Sequence, residues 1–92
     1  MPIHQKAYVY ILLCAGGTLY TGSTRNLEKR INCHRTGKGA LLTRGSASIR
    51  MLWSEPHSTC ESAYKREQQI KGWTKRKKWA LINGDFVLLK KL

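Results

Sequence analysis

Acidic residues are scarce in this chain. Its 92 residues include five Asp and Glu against seventeen Lys and Arg, a formal net charge of +12 at pH 7. Repulsion then disfavours substrates that are themselves basic, and the few carboxylates narrow the candidates for a metal ligand. Long apolar runs are also lacking. The longest, Val9 to Ala15, is interrupted by Tyr10 and is far too short to cross a bilayer or to serve as a signal peptide, so the chain is expected to be cytoplasmic. The three cysteines, Cys14, Cys33 and Cys60, are odd in number and have no C-x-x-C spacing. That argues against a disulfide framework and a structural zinc site. Length excludes solenoids and multi-domain enzymes, and residues 1–92 are expected to form one domain with a thin core. The 41% hydrophobic content is enough for that core, so the charge does not signal disorder. A compact, very basic domain meets a polyanion, either nucleic acid or an anionic membrane surface.

What is present reads as an α+β domain. Ala7–Leu13 is rich in β-branched and aromatic residues and predicts a strand buried on both faces. Gly16 and Gly17 connect it to a second run, Thr18–Thr21, as a hairpin. A three-residue loop with Gly16 in the left-handed position would set Tyr10 opposite Tyr20; a two-residue loop would shift that register by one. Gly22 to Asn26 reads as a turn, with Asn26 capping a helix from Leu27 to about Thr36 that stops at Gly37. Ile49, Met51 and Trp53 alternate at period two and predict a third strand over Ser48–Ser54, ended by Pro56. Ser58 and Glu61 fit a capping box ahead of a helix reaching Lys71. Thr74 caps a last helix through Ile82, and Phe86–Leu89 is a final strand or a packed tail. The expected order is β-β-α-β-α-α, a small three-stranded antiparallel sheet flanked by helices.

With only five acids, each can be weighed singly. Glu28 and Glu61 fall in first helical turns, where the helix dipole favours them. Glu55 lies beside Pro56, and Asp85 follows Gly84. Glu67 is different. It lies four residues after Ala63 and three before Ile70, on an apolar stripe where a carboxylate must be paired, hydrogen-bonded or bound to a cation. A salt bridge to the Lys65–Arg66 edge or another arginine is the plain alternative to a metal role. Arg30 and His34 project from one face of the first helix, which Leu27 and Ile31 anchor on the sheet. Two tyrosines, an arginine, a histidine and a carboxylate can thus converge at one edge of the hairpin. Lys38 and Arg44 flank Gly37 and Gly39, whose backbone N–H groups a phosphate could approach closely. Lys65, Arg66, Lys71, Lys75, Arg76, Lys77 and Lys78 form a belt whose self-repulsion a polyanion would offset.

These residues resemble the GIY-YIG nuclease signature. Val9-Tyr10 stands for the GIY element, with Tyr8 where glycine is usual, and Tyr20-Thr21-Gly22 for YIG, with Thr in place of Ile. Arg30 and His34 follow at the family's spacing. Gly37-x-Gly-Ala40 with Thr43-Arg44 resembles a further motif of the short members, and Ser62-Ala63, Arg66-Glu67 and Ile70-Lys71 resemble their second-helix motif. The resemblance implies phosphodiester hydrolysis with a single divalent cation, Mg²⁺ or Mn²⁺. It makes Tyr10 and Tyr20 the paired tyrosines, Arg30 the phosphate contact, His34 an accessory and Glu67 the metal ligand. Lys38, Arg44, Lys65, Arg66 and Lys71 are the expected substrate contacts. Many members carry an Asn after the glutamate; Asn83, at a helix end, is not assigned to the site. A tyrosine is a poor base at neutral pH unless cations lower its pKa. Tyr10 is favoured as base or water-positioning residue with Tyr20 as its partner, and the reverse stays open. The expected partner is nucleic acid, DNA in preference to RNA, with no membrane, and the protein a monomer or weak homo-oligomer. The rival readings are an inactive nucleic-acid-binding module of the same fold and a basic adaptor for an acidic protein.

Overall fold

A computed structural model describes residues 6–35 and 49–92 of the chain. Lys38, Arg44 and the glycines between the first helix and the third strand lie outside the described residues. Within them the order is β1 (Ala7–Leu13), β2 (Leu19–Thr24), α1 (Leu27–Arg35), β3 (Arg50–His57), α2 (Cys60–Lys71), α3 (Lys75–Ile82) and α4 (Phe86–Lys91). The strands form one antiparallel sheet in the order β2-β1-β3. β1 is therefore central, which is why its residues read as a nearly continuous apolar run.

Alternation along β1 divides the core into two layers. Ala7, Val9 and Ile11 pack against Ala63 and Ile70 of α2 and Leu81 of α3, with Leu89 of α4 at the margin. Tyr10 and Leu12 face the other way, onto Ile49, Leu27 and Ile31. Helix α1 thus covers one face of the sheet and α2–α4 the other, as a strand buried on both faces requires.

Several local expectations are corrected. The hairpin connection runs from Cys14 to Thr18, with Gly16 and Gly17 both at positive φ, and Leu13 pairs with Leu19. This longer loop pairs Tyr10 with Gly22 and Leu12 with Tyr20, in place of Tyr10 with Tyr20. The shift is two residues, so both tyrosines keep the same face. β2 continues through Thr24, where a turn was expected. β3 runs through Pro56 to His57, because an edge strand tolerates a residue without a backbone N–H. Its period of two fails at Leu52. Ile11 pairs with Trp53 but Leu12 pairs with Met51, so the bulge at Leu52 puts Met51 and Trp53 on opposite faces. Thr59 caps α2, accepting a hydrogen bond from the Ser62 N–H, where Ser58 was expected. The tail Phe86–Lys91 is a helix capped by Asp85. Asn26 caps α1 as expected, its Oδ1 accepting from the Lys29 N–H at 3.0 Å.

Candidate active site at the β2 edge

Tyr10 and Tyr20 stand on the α1 face of the sheet, whereas Glu67 belongs to α2 on the other. They come together because β2 is an edge strand and because Gly22 has no side chain. A Cβ on Gly22 would lie 2.5 Å from the Tyr10 hydroxyl oxygen and 2.7 Å from its Cζ. The Tyr10 phenol therefore lies across Gly22 toward the open edge. Its ring meets Tyr20 with centroids 6.5 Å apart and planes tilted by 37°. From the opposite face, Glu67 reaches the next residue of the same strand. Its Oε1 accepts a hydrogen bond from the Ser23 hydroxyl at 2.5 Å.

All five carboxylates lie among the described residues, and Glu67 alone is buried, at 8% exposure. Its Oε2 accepts from the Lys71 ammonium at 2.7 Å, one helical turn onward. This hydrogen bond is the main cause that holds the Lys71 pKa above its ordinary value. The buried carboxylate is thus paired, with Lys71 as its partner. Arg66 turns elsewhere: its Nε donates to Glu55 at 3.2 Å, Nη1 donates to Gln69 at 2.8 Å, and the guanidinium lies 5.4 Å from the centre of the Trp73 ring. Glu55 also meets His57 Nε2 at 2.7 Å, so Arg66 serves a network that ties β3 to α2. Lys65 is exposed and pairs with Glu61 at 3.3 Å.

The Tyr10 phenol packs on Tyr20 and lies over Gly22, next in the strand to Ser23, which holds Glu67 and shares a cleft with Arg30. Burial raises its pKa well above the ordinary value of 10.0, Tyr20 and Glu67 add to the rise, and the Arg30 charge opposes it. The folded protein therefore keeps this proton where the unfolded chain loses it. Below pH 10 both states hold it and stability is unaffected; as pH rises past 10 the unfolded state binds fewer protons and stability falls. Urea unfolding of wild type and Tyr10→Phe at about pH 8 and about pH 11 isolates this contribution. Wild type is expected to lose stability relative to the variant at the higher pH. A difference that stays constant would show that the phenol is not shielded.

Arg30 is exposed on α1 and, with Ser23, Thr24, Arg25, Asn26, Lys29, Ala7 and Cys60, lines a cleft of about 490 Å³. Three cations and no carboxylate face this cleft, and Ser23 joins it to Glu67. Tyr10, Tyr20, Arg30 and Glu67 thus gather at one edge. His34 lies in the last turn of α1. Asn83 caps the end of α3 and is exposed. Sequence reasoning missed Ser23, although it directly follows Gly22. Thr21, where the signature usually has Ile, is 3% exposed on the α2 face, and its hydroxyl has no hydrogen-bond partner among the described residues.

A GIY-YIG catalytic domain model matches residues 6–80. The chain is 41% identical over 80 residues to a UPF0213 protein of Streptococcus agalactiae, an alignment covering 87% of this chain and 91% of that one. It is 45% identical over 80 residues to a UPF0213 protein of Clostridium perfringens, covering 87% and 86%. The solution NMR structure of a UPF0213 protein from Bacillus halodurans superposes with a TM-score of 0.56 at 38% identity, over 85% of this chain and 83% of that one. Fold, sequence match and the order of the motifs agree, and the chain belongs to the GIY-YIG catalytic domain family.

Proposed function

We propose that this protein is an endonuclease that hydrolyses phosphodiester bonds in nucleic acid, DNA in preference to RNA, with one divalent cation. The observation that supports this reading best is the meeting of Tyr10, Tyr20, Arg30 and Glu67 at the β2 edge, next to a cationic cleft.

Glu67 is the residue that would hold Mg²⁺ or Mn²⁺. Among the described residues no group of three or more His, Cys, Asp or Glu comes together, so the protein would offer one carboxylate and leave the other positions to phosphate and water. The donor is suitable, since its Oε2 already accepts a cationic group, Lys71, whose half-exposed side chain has room to withdraw. When bound, such a cation supplies Lewis-acid polarisation of the scissile phosphate.

The remaining steps belong to the chain. Arg30 can grip two phosphate oxygens through its planar fork, a geometry lysine cannot reproduce. Lys71, released from Glu67, can follow the phosphate as a point charge. Ser23 fixes one carboxylate oxygen and so the direction of Glu67. Tyr10 stays a neutral phenol at physiological pH, so it suits water positioning better than proton abstraction. Tyr20, less buried and packed against Tyr10, is the better placed of the two to face the attacking water. Water adds to phosphorus and gives up one proton, the bond to the leaving oxygen breaks, and that oxygen takes up one proton in turn.

The test is a cleavage panel with Mg²⁺ and Mn²⁺ over single-stranded, duplex, flap and branched DNA and the matching RNAs. At least one DNA is expected to be cut, and EDTA should abolish the cutting. Salt-dependent binding without cleavage of any substrate under either metal would replace this reading with that of an inactive binding module.

A further inference from the structure

A second hollow, of about 280 Å³, lies at the start of β2 and is lined by Thr18, Leu19, Trp73, Lys75 and Lys78. The arginine cleft lies at the other end of that strand. Leu19 to Ser23 spans roughly 13 Å at about 3.3 Å per residue, and a stacked strand carries a phosphate about every 3.4 Å of its axis, so the hollows lie a few nucleotides apart. We propose that this second hollow is a phosphate subsite, in which Lys75 and Lys78 hold a backbone phosphate of bound nucleic acid a few nucleotides from the bond that is cut. The assignment rests on the nuclease reading for its position relative to the cut, and on the hollow itself for the ligand.

Three observations carry it. First, the basic belt divides by partner. Lys65, Arg66 and Lys71 are paired with Glu61, Glu55 and Glu67, whereas Lys75 and Lys78 have no carboxylate partner among the described residues. Second, both lysines line one cavity. The Lys75 Nζ lies over the hairpin loop, 3.6 Å from where a Cβ on Gly17 would be, and Lys78 is half-buried in the same wall. The Thr18 hydroxyl adds a donor, and Leu19 and Trp73 give an apolar wall suited to a sugar. Third, Lys78 is half-buried and no carboxylate lines the hollow. Burial lowers the Lys78 pKa, and the neighbouring Lys71 charge lowers it further. An anion in the hollow offsets both effects.

The experiment measures binding of the full chain to a fluorescein-labelled forked DNA in EDTA, across a salt series. Lys75→Gln with Lys78→Gln is expected to bind about tenfold more weakly, with a salt slope shallower by about one to two units. The charge-matched control Lys90→Gln with Lys91→Gln, on the exposed last turn of α4, should stay within about twofold of wild type. Lys75→Arg with Lys78→Arg should retain binding. Methylphosphonate placed at one linkage at a time should weaken wild type at a position to which the double glutamine variant is indifferent. Equal losses in the α3 and α4 variants, or none in the α3 variant, overturn the subsite. If the subsite results hold but no metal supports cleavage, the nuclease reading fails and the subsite stands.

Discussion

Glu67→Gln is expected to lower cleavage by on the order of 10³-fold or more while leaving the protein folded. The substitution keeps the volume of the side chain and an oxygen to accept from Ser23, and it removes the only buried carboxylate among the described residues. No neighbour can replace that charge. Glu55 is held by His57 and Arg66, Glu61 by Lys65, Asp85 caps α4, and Glu28 lies exposed in the first turn of α1. Stability should change little, because Lys71 is 45% exposed and solvent screens the pair; a loss within about 1 kcal/mol in urea unfolding is expected. DNA binding in EDTA should hold or tighten, since a carboxylate beside the phosphate path is gone. Cleavage by the variant at the wild-type rate would remove Glu67 from the chemistry and leave its pairing with Lys71 as its whole role. Comparable losses of stability and activity would point to a folding defect, which Ser23→Ala then separates by removing the Oε1 contact alone.

The sequence was most legible where one periodicity and one environment coincide. Ala7–Leu13 is central, so every residue reports burial, and Ala63, Glu67 and Ile70 share a stripe that needs only helical spacing to be seen. That logic alone singles out Glu67. It fails where the backbone departs from regularity. The bulge at Leu52 leaves no mark in composition, yet it separates Met51 from Trp53. The hairpin register depends on how many residues the Gly16–Gly17 loop takes up, and a difference of two residues preserves every face while moving every partner. The choice between Ser58 and Thr59 as cap rests on one step of backbone that both side chains would satisfy equally. At the site, the residue types were legible and their route to one another was not. Alternation puts the tyrosines and Glu67 on opposite faces of the sheet. Only the strand order, with β2 at the edge, lets them meet. Likewise the basic belt read as uniform, because pairing with Glu55, Glu61 or Glu67 is tertiary information that sorts Arg66, Lys65 and Lys71 from Lys75 and Lys78.

Gly22→Ala is expected to destabilise the fold by about 2–3 kcal/mol and to displace Tyr10 from the site. Gly22 is not held to a left-handed conformation, so its backbone would accept alanine. The obstacle is space. The new methyl would come to 2.5 Å from the Tyr10 hydroxyl oxygen and 2.7 Å from Cζ, both far inside van der Waals contact, and to a tight 3.3 Å from Cε1. Nor can the ring tilt away, since Tyr10 is 2% exposed and walled by Leu12, Ile49, Tyr20, Leu27 and Ile31. Relief must come from the strand pair or from rotation of Tyr10 out of the core, and the second route uncovers apolar surface in a domain with little to spare. Removing the hydroxyl with Tyr10→Phe should restore part of the stability only, because the Cζ contact remains. Tyr10→Leu should make the alanine nearly neutral. A double-mutant cycle by urea unfolding measures this coupling, expected at about 1–2 kcal/mol for the leucine pair. A Gly22→Ala protein as stable and as active as wild type would mean that the phenol does not lie across β2. The meeting of Tyr10 with Glu67 at the sheet edge would then lose its structural basis.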